Sequence, residues 1–218
     1  MFVKEFMTPD PITITPDTAV PAALRLMAEK KIRRLPVVDN RGKLVGIVSD
    51  KDLLHASPSP ATSLAIWEIT DLMSRLKVEK VMTRNVISVT EDTPLEEAAL
   101  IMADKRIGSL LILRDKKLVG IITESDLFRV LLDLLGGRRS GVRVTAAVVN
   151  EKGTLAKVAN AIFDAGGDIV GLGISEVPEA GNMRWEVMLK VQDVPQDKLE
   201  AAIQPAVDKL IDVRETAV

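Results

Sequence analysis

The sequence predicts an α/β (α+β) chain: a duplicated strand–helix–hairpin–helix unit followed by a smaller ferredoxin-like βαββαβ domain. Three observations predict it. Blocks of residues between Phe6 and Leu53 return in the same order between Val81 and Leu127. Apolar residues switch between helical and strand spacing at matching points of both copies. Beyond a Gly-rich stretch near Gly136, the order strand, helix, strand, strand, helix, strand completes the chain.

A chain of 218 residues exceeds what one small core needs, so more than one compact unit is expected. With 47% hydrophobic but only 3% aromatic residues, its cores must be built from Val, Ile, Leu, Ala and Met. Lys plus Arg number 29 against 31 for Asp plus Glu, a net charge of -2 without a long basic block, which argues against nucleic acid as a partner. The absence of cysteine excludes disulfides, thiolate zinc sites and a cysteine nucleophile. Lys4, Glu5, Pro9 and Pro11 interrupt the start where an export signal needs an apolar run, and no stretch is apolar enough to span a bilayer. A soluble, cytoplasmic protein without membrane contact is expected.

The repeat opens with FMTPDPITITPDT, Phe6 to Thr18, returning as VMTRNVISVTEDT, Val81 to Thr93, at an offset of 75. LVGIVSDKDL, Leu44 to Leu53, returns as LVGIITESDL, Leu118 to Leu127, at an offset of 74, so one residue was lost between the blocks. In each copy a short extended Ile-Thr-Ile or Ile-Ser-Val stretch precedes a helix expected to open at Asp17-Thr18 or Asp92-Thr93, with proline close behind. Leu24, Met27, Ala28 and Ile32 give the first helix an apolar stripe; Leu95, Ala98, Ala99 and Met102 give one to the second.

A β-branched or leucine-rich run, a polar turn around Asp39-Asn40-Arg41-Gly42 or Arg114-Asp115-Lys116-Lys117, and a second strand then form a hairpin. It leads through Ser49 or Thr123 into another helix. The expected divisions are 1–56 for the first copy, 57–77 for a linking helix, 78–135 for the second copy, 136–141 for a flexible polar linker and 142–218 for the last domain. The linking helix carries Leu64, Ile66, Trp67, Ile69, Leu72, Met73 and Leu76, a wide apolar face that a cleft or a subunit interface would cover.

Two copies, each ending in Gly, two apolar residues, Ser or Thr, two further residues and Asp, resemble a tandem CBS-domain pair, or Bateman module, over residues 1 to about 135. The resemblance implies clefts for adenosine-containing ligands: AMP, ADP, ATP or S-adenosylmethionine. Carried onto this sequence, it implies nucleotide contacts from Thr13, Ile14, Arg33, Arg34, Pro36, Ser49 and Asp52 in the first copy. In the second they come from Ser88, Val89, Ser109, Thr123 and Asp126. Asp52 and Asp126, on the first turn of a helix, can accept hydrogen bonds from both ribose hydroxyls. Ser49 and Thr123 can meet a phosphate that also faces backbone N–H groups, and Arg33 and Arg34 can supply charge. Ser49-x-x-Asp52 and Thr123-x-x-Asp126 are equally capping boxes, which need no ligand. Gly108-Ser109 stands where the first copy has Arg33-Arg34, so the first cleft is expected to be the more basic.

In the last domain VRVTAAVV, DIVGLGIS, RWEVMLKV and LIDVRE read as strands, with helices from Leu155 toward Gly166-Gly167 and from Asp197 to Lys209. With the loop Asn150 to Leu155 and the turn Gly166 to Ile169, this order resembles an ACT domain, a family that binds amino acids at dimer interfaces. The resemblance implies an amino-acid site from Asn150, Gly153, Leu155 and Asp168, though each residue also has a plain role as turn former or helix start. Fold analogy alone leaves amino-acid binding and dimerisation both open. The order CBS, CBS, ACT, with DKDLLHASPSP leaving the first copy, resembles bacterial acetoin-utilisation regulatory proteins.

The single histidine, His55, has no second histidine to share a metal or a proton relay, and no P-loop is present, so neither a metal site nor a catalytic centre is expected. Two functions remain. One is a homodimeric regulatory sensor without covalent cofactor, whose adenine nucleotide ligand controls a metabolic protein partner. The other is an interaction scaffold with vestigial clefts.

Overall fold

The computed structural model describes residues 1–56, 74–179 and 182–217, without the side chains of residues 179, 182 and 183. Most of the expected linking helix, including Leu64, Ile66, Trp67, Ile69, Leu72 and Met73, lies outside the described residues. Two compact units divide the chain, Met1–Leu127 and Phe128–Val218.

In the first unit, one copy supplies β1 (Thr8–Pro9), α1 (Val20–Lys30), β2 (Arg34–Val38), β3 (Leu44–Ser49) and α2 (Asp50–His55). The other supplies β4 (Ser88–Val89), α3 (Leu95–Lys105), β5 (Ser109–Arg114), β6 (Lys117–Thr123) and α4 (Glu124–Leu134), the last running past the division between units. The helices α1 and α3 begin later than their Asp-Thr pairs: Ala19 and Pro94 are the N-caps, without side-chain bonds. Thr18 and Thr93 instead accept the N–H of Thr15 and Thr90 through Oγ1, at 3.3 and 3.2 Å, making a hydroxyl turn that feeds the helix. Both helices end in a left-handed residue, Lys31 or Arg106. The buried line of α1 is Val20, Ala23 and Met27, while Ala28 of the expected stripe is exposed.

The lost residue is in the hairpin turn. Val38 pairs with Leu44, but Leu113 pairs with Leu118 across a turn shorter by one. The longer turn uses Gly42 at φ +76 and the Asp39 carboxylate; the shorter one puts Asp115 and Lys116 at positive φ.

The copies also exchange their leading segments. β1 of the first copy pairs with β6 of the second, Thr8 opposite Ile121, while Thr83 of the second copy bridges Ile47 of the first. Glycine makes the approach possible: a Cβ on Gly46 would lie 2.7 Å from Met82 Sδ, and one on Gly120 would strike Met7 Sδ. Val78 and Met82 consequently complete the first copy's core of Ile14, Val20, Ala23, Met27, Leu35, Val37, Val48 and Leu53. The first repeat therefore takes part of its core from the second, and each lends the other a short strand pairing.

The second unit carries β7 (Gly141–Val148), α5 (Thr154–Asp164), β8 (Asp168–Glu179), β9 (Asn182–Gln192), α6 (Gln196–Ile203) and β10 (Lys209–Thr216). The sheet is antiparallel in the order β10-β7-β9-β8, the ferredoxin-like arrangement expected from βαββαβ. Val142, Val144, Val187, Leu189 and Val191 face Val158, Ile162, Leu199 and Ile203 of the two helices. α6 is shorter than expected and passes into a 3-10 turn at Gln204–Ala206, which contains Pro205.

The Gly-rich stretch after α4 is not a flexible joint. Gly137 N–H reaches Leu132 O at 2.7 Å and Gly136 N–H reaches Asp133 O at 3.1 Å, with Gly136 at φ +63. That pattern is a Schellman cap, which needs glycine for its left-handed residue. The capped segment rests on the sheet: a Cβ on Gly171 would lie 2.5 Å from the Leu135 carbonyl carbon and 2.6 Å from Gly136 N. Among the described residues, no helix is long and apolar enough to cross a membrane.

Candidate functional site

Each hairpin of the first unit ends where a strand turns into a helix, and there the repeated polar residues converge. Ser49 is the N-cap of α2 in extended conformation. Its N–H and hydroxyl both donate to Asp52 Oδ2, at 2.8 and 2.7 Å, while Ser49 Oγ accepts the Asp52 N–H at 3.3 Å. In the second copy, the N–H and Oγ1 of Thr123 donate to Asp126 Oδ2 at 2.9 and 2.7 Å. The capping box read from the sequence is thus formed in full at Ser49, and at Thr123 the bonds from the N-cap residue to the Asp126 carboxylate repeat it. Such a cap uses one carboxylate oxygen, and a carboxylate has about four acceptor positions, so at Asp52 the second oxygen keeps acceptor capacity. Both carboxylates are half-buried, accessible enough to meet a ligand.

The strand pairs bring the other residues alongside. Arg34 pairs with Ser49 and Ser109 with Thr123. Asp50 N–H bonds Arg33 O at 3.0 Å, and Glu124 N–H bonds Gly108 O at 3.2 Å. Ile14 N–H reaches Pro36 O at 3.1 Å and Val38 N–H reaches Ile14 O at 2.9 Å; in the second copy Ser88 and Val89 pair with Leu111 and Ile112. Thr13 and Ser88 are exposed, Val89 is half-buried, and Ile14, Pro36 and Ser109 are buried. Ile14 belongs to the hydrophobic core.

Arg33 and Arg34 are not confined to the first copy. Arg33 Nη2 donates to Ser125 Oγ at 3.4 Å, in the first turn of α4. The Arg34 guanidinium covers Gly108, where an added Cβ would strike it and would lie 3.0 Å from Glu124 Oε2. The expected basic first cleft is corrected accordingly: both arginines reach the helix start of the second copy, whose Gly108 leaves the room they occupy. Glu124 and Ser125 were not singled out by the sequence, and Gly108 was noted there only as the counterpart of Arg33. The signal was Gly108 standing opposite Arg33 in the repeat, which reads as missing charge until the chain is folded.

In the second unit, Gly153 adopts φ +90 at the N-cap of α5, with nothing near a Cβ, so its requirement is conformational. Asn150 is exposed beside it, and Leu155 packs partly against the core. Asp168 is not with them. It pairs with Gln192, whereas Asn150 lies just beyond the pairing of Val148 with Trp185, at the other end of β9. At about 3.4 Å per residue this puts the two roughly 20 Å apart. The expected grouping of Asn150 with Asp168 does not form within one chain.

The sequence profile of the CBS domain family matches residues 3–59 and 78–133. The chain is 35% identical over 136 residues to a CBS domain-containing protein of Dictyostelium discoideum, covering 62% of this chain and 94% of that protein. It is 31% identical over 140 residues to the L-aspartate semialdehyde sulfurtransferase of Methanocaldococcus jannaschii, covering 63% of this chain but only 24% of that enzyme. Among solved structures, a CBS domain pair in complex with 5′-methylthioadenosine and S-adenosyl-L-methionine superposes with a TM-score of 0.51 at 29% identity, covering 64% of this chain and 98% of that one. An acetoin utilization protein (AcuB) of Vibrio cholerae superposes with a TM-score of 0.52 at 34% identity, covering 63% and 95%. With both copies matched and their pairing on the page, the chain belongs to the CBS domain family and carries two CBS domains in tandem.

Proposed function

We propose that the tandem CBS pair is a regulatory sensor for an adenosine-containing ligand, and that the chain acts by binding and not by catalysis. The observation that carries this reading is the doubled cap: in each copy a half-buried carboxylate is fixed at a helix start with its cap bonds on one oxygen. Fixing the carboxylate beforehand lowers the ordering cost of gripping a ribose diol. The solved relative holding S-adenosylmethionine and methylthioadenosine supports the ligand class.

Arg33 and Arg34, over the start of α4, favour a ligand with a phosphate there, so an adenine nucleotide is the preferred occupant of the second copy. Binding that favours one arrangement of a homodimer would alter affinity for a metabolic partner in the cytoplasm. In the C-terminal unit, an ACT-like amino-acid site using both Asn150 and Asp168 would draw them from two copies.

Calorimetric titration with AMP, ATP, S-adenosylmethionine and methylthioadenosine tests the reading. At least one should bind, and the Asp52→Asn, Asp126→Asn double variant should lose at least about tenfold in affinity, with its circular dichroism unchanged. Arg34→Ala should weaken AMP more than S-adenosylmethionine, whose sulfonium gains nothing from a cation. If no adenosine ligand binds, or the double variant binds as the parent does, the sensor reading fails. The remaining reading would be an interaction scaffold, favoured by the fact that both carboxylates already serve helix starts without a ligand.

A further inference from the structure

The C-terminal sheet aligns three cations in one row. Arg214 pairs with Arg143, Arg143 with Lys190 and Lys190 with Gly171, across β10, β7, β9 and β8. Directly paired residues of an antiparallel sheet share a face. This face is the one opposite α5 and α6, because Val142, Val144, Leu189 and Val191 point to the helices.

Among the described residues, one carboxylate serves the row. Asp212 takes a two-pronged contact from Arg214, Nε to Oδ2 at 2.7 Å and Nη2 to Oδ1 at 2.6 Å. Arg143 Nη1 stands 3.3 Å from Asp212 Oδ2 and donates to Thr145 Oγ1 at 2.8 Å. Lys190 is 5% exposed, with no hydrogen bond or ion pair among the described residues. Gly136 presses on its stem, since a Cβ there would lie 3.0 Å from Lys190 Cβ and Cγ. Burial first, and the Arg143 charge second, hold the Lys190 ammonium below the ordinary lysine range.

Like charges directly opposite in a sheet repel, and Lys190, with its stem packed under Gly136, has no counter-charge among the described residues. Asp212 is already shared by two arginines, so the row lacks negative charge at its Lys190 end. We propose that Arg143 and Lys190 form a binding site for a small oxyanion, a carboxylate or phosphate group, on the face of the C-terminal sheet away from its helices. One anion oxygen would meet a guanidinium donor of Arg143 and another the Lys190 ammonium. The proposal is independent of the CBS clefts and of any site at Asn150.

The test is NMR of the full chain with labelled lysine, following the Lys190 side-chain resonance, assigned by its loss in Lys190→Met, during titration with inorganic phosphate and separately with sodium acetate. Ionic strength is held constant with chloride. A saturable shift with either anion, weakened at least tenfold in Arg143→Gln, is expected. Saturation by phosphate alone would identify a phosphoryl ligand, and by acetate as well a carboxylate-tolerant one. A response no different from chloride overturns the proposal, as does a saturable shift that Arg143→Gln leaves unchanged. Should Arg143→Gln unfold, Lys190→Met takes its place: anion-induced stabilisation measured in thermal melts should disappear, and its persistence overturns the proposal.

Discussion

After α1 the first copy continues Ile32-Arg33-Arg34; after α3 the second continues Ile107-Gly108-Ser109. Around these residues the backbone repeats bond for bond, the strand start pairing with the cap residue and the helix start bonding back to the strand. The caps repeat as well, but the charge and the hairpin turn do not. A backbone hydrogen bond and a capped helix constrain both copies equally, whereas a strand end at the joint between copies can carry either a long cation or the glycine that admits it. Two equivalent folds thus present unequal clefts, and the inequality comes from one copy lending its side chains to the other.

The exchange of leading segments should show the largest inequality. Met82 is 8% exposed within the first core, while Met7, its counterpart over Gly120, is half-buried. Truncating a buried methionine leaves a cavity and typically costs 2–5 kcal/mol, so Met82→Ala should lose about 2 to 3 kcal/mol. Met7→Ala, with less surface buried, should lose about 1 kcal/mol. Urea unfolding followed by circular dichroism measures both. Equal losses would mean that the two exchanged segments support their hosts equally, and would break the comparison.

That exchange also marks the limit of what the sequence allowed. The repeat, the hairpins, the Ser49 and Thr123 caps and the βαββαβ order were legible because each depends on residues close in sequence. The pairing of Thr8 with Ile121 was not, since strand partners are chosen by packing and not by local pattern. Gly136-Gly137 read as a linker because a Schellman cap and a flexible joint have the same composition. Asn150 and Asp168 were grouped by analogy, and only the register along β9 shows them at opposite ends of the sheet. The Arg214, Arg143 and Lys190 row was hidden for the same reason: three strands far apart in sequence supply one residue each.

The caps sharpen the comparison from the other side, because here the copies should behave alike. Ser49→Ala and Thr123→Ala each remove a hydroxyl that donates to a carboxylate at 2.7 Å. Each should cost about 1 kcal/mol, within the usual range for an N-cap. Measured in the same urea experiment, losses differing by more than about 0.5 kcal/mol would show that one cap is supported by neighbours the other lacks. Arg33 on Ser125 is the first such neighbour to examine, and Arg33→Ala combined with Thr123→Ala would reveal the coupling.

The smallest difference is in the hairpin turns, and acid should resolve it. In the first copy the Asp39 carboxylate accepts the N–H groups of Lys43 and Arg41, both at 2.9 Å, and the Lys43 bond is the main reason its pKa lies below the usual carboxylate range. In the second copy, Arg114 at the hairpin's end holds Glu91, Nε to Oε2 at 2.5 Å, and that hydrogen bond lowers the Glu91 pKa. A carboxyl whose folded pKa is depressed stabilises the fold in its charged form. The contribution is complete above the unfolded value, near pH 4, and fades as pH falls through the folded value. Asp39→Asn and Glu91→Gln should therefore each flatten the fall of melting temperature below about pH 4, while leaving its slope near neutrality unchanged. Salt separates the two: at about 0.5 M the charge part of the Glu91 contact is screened, so Glu91→Gln should lose part of its effect there. The Asp39 bonds run to neutral backbone donors, and Asp39→Asn should keep its effect. Identical salt responses would mean that both turns rest on the same electrostatics, and that the shorter hairpin differs from the longer one only in length.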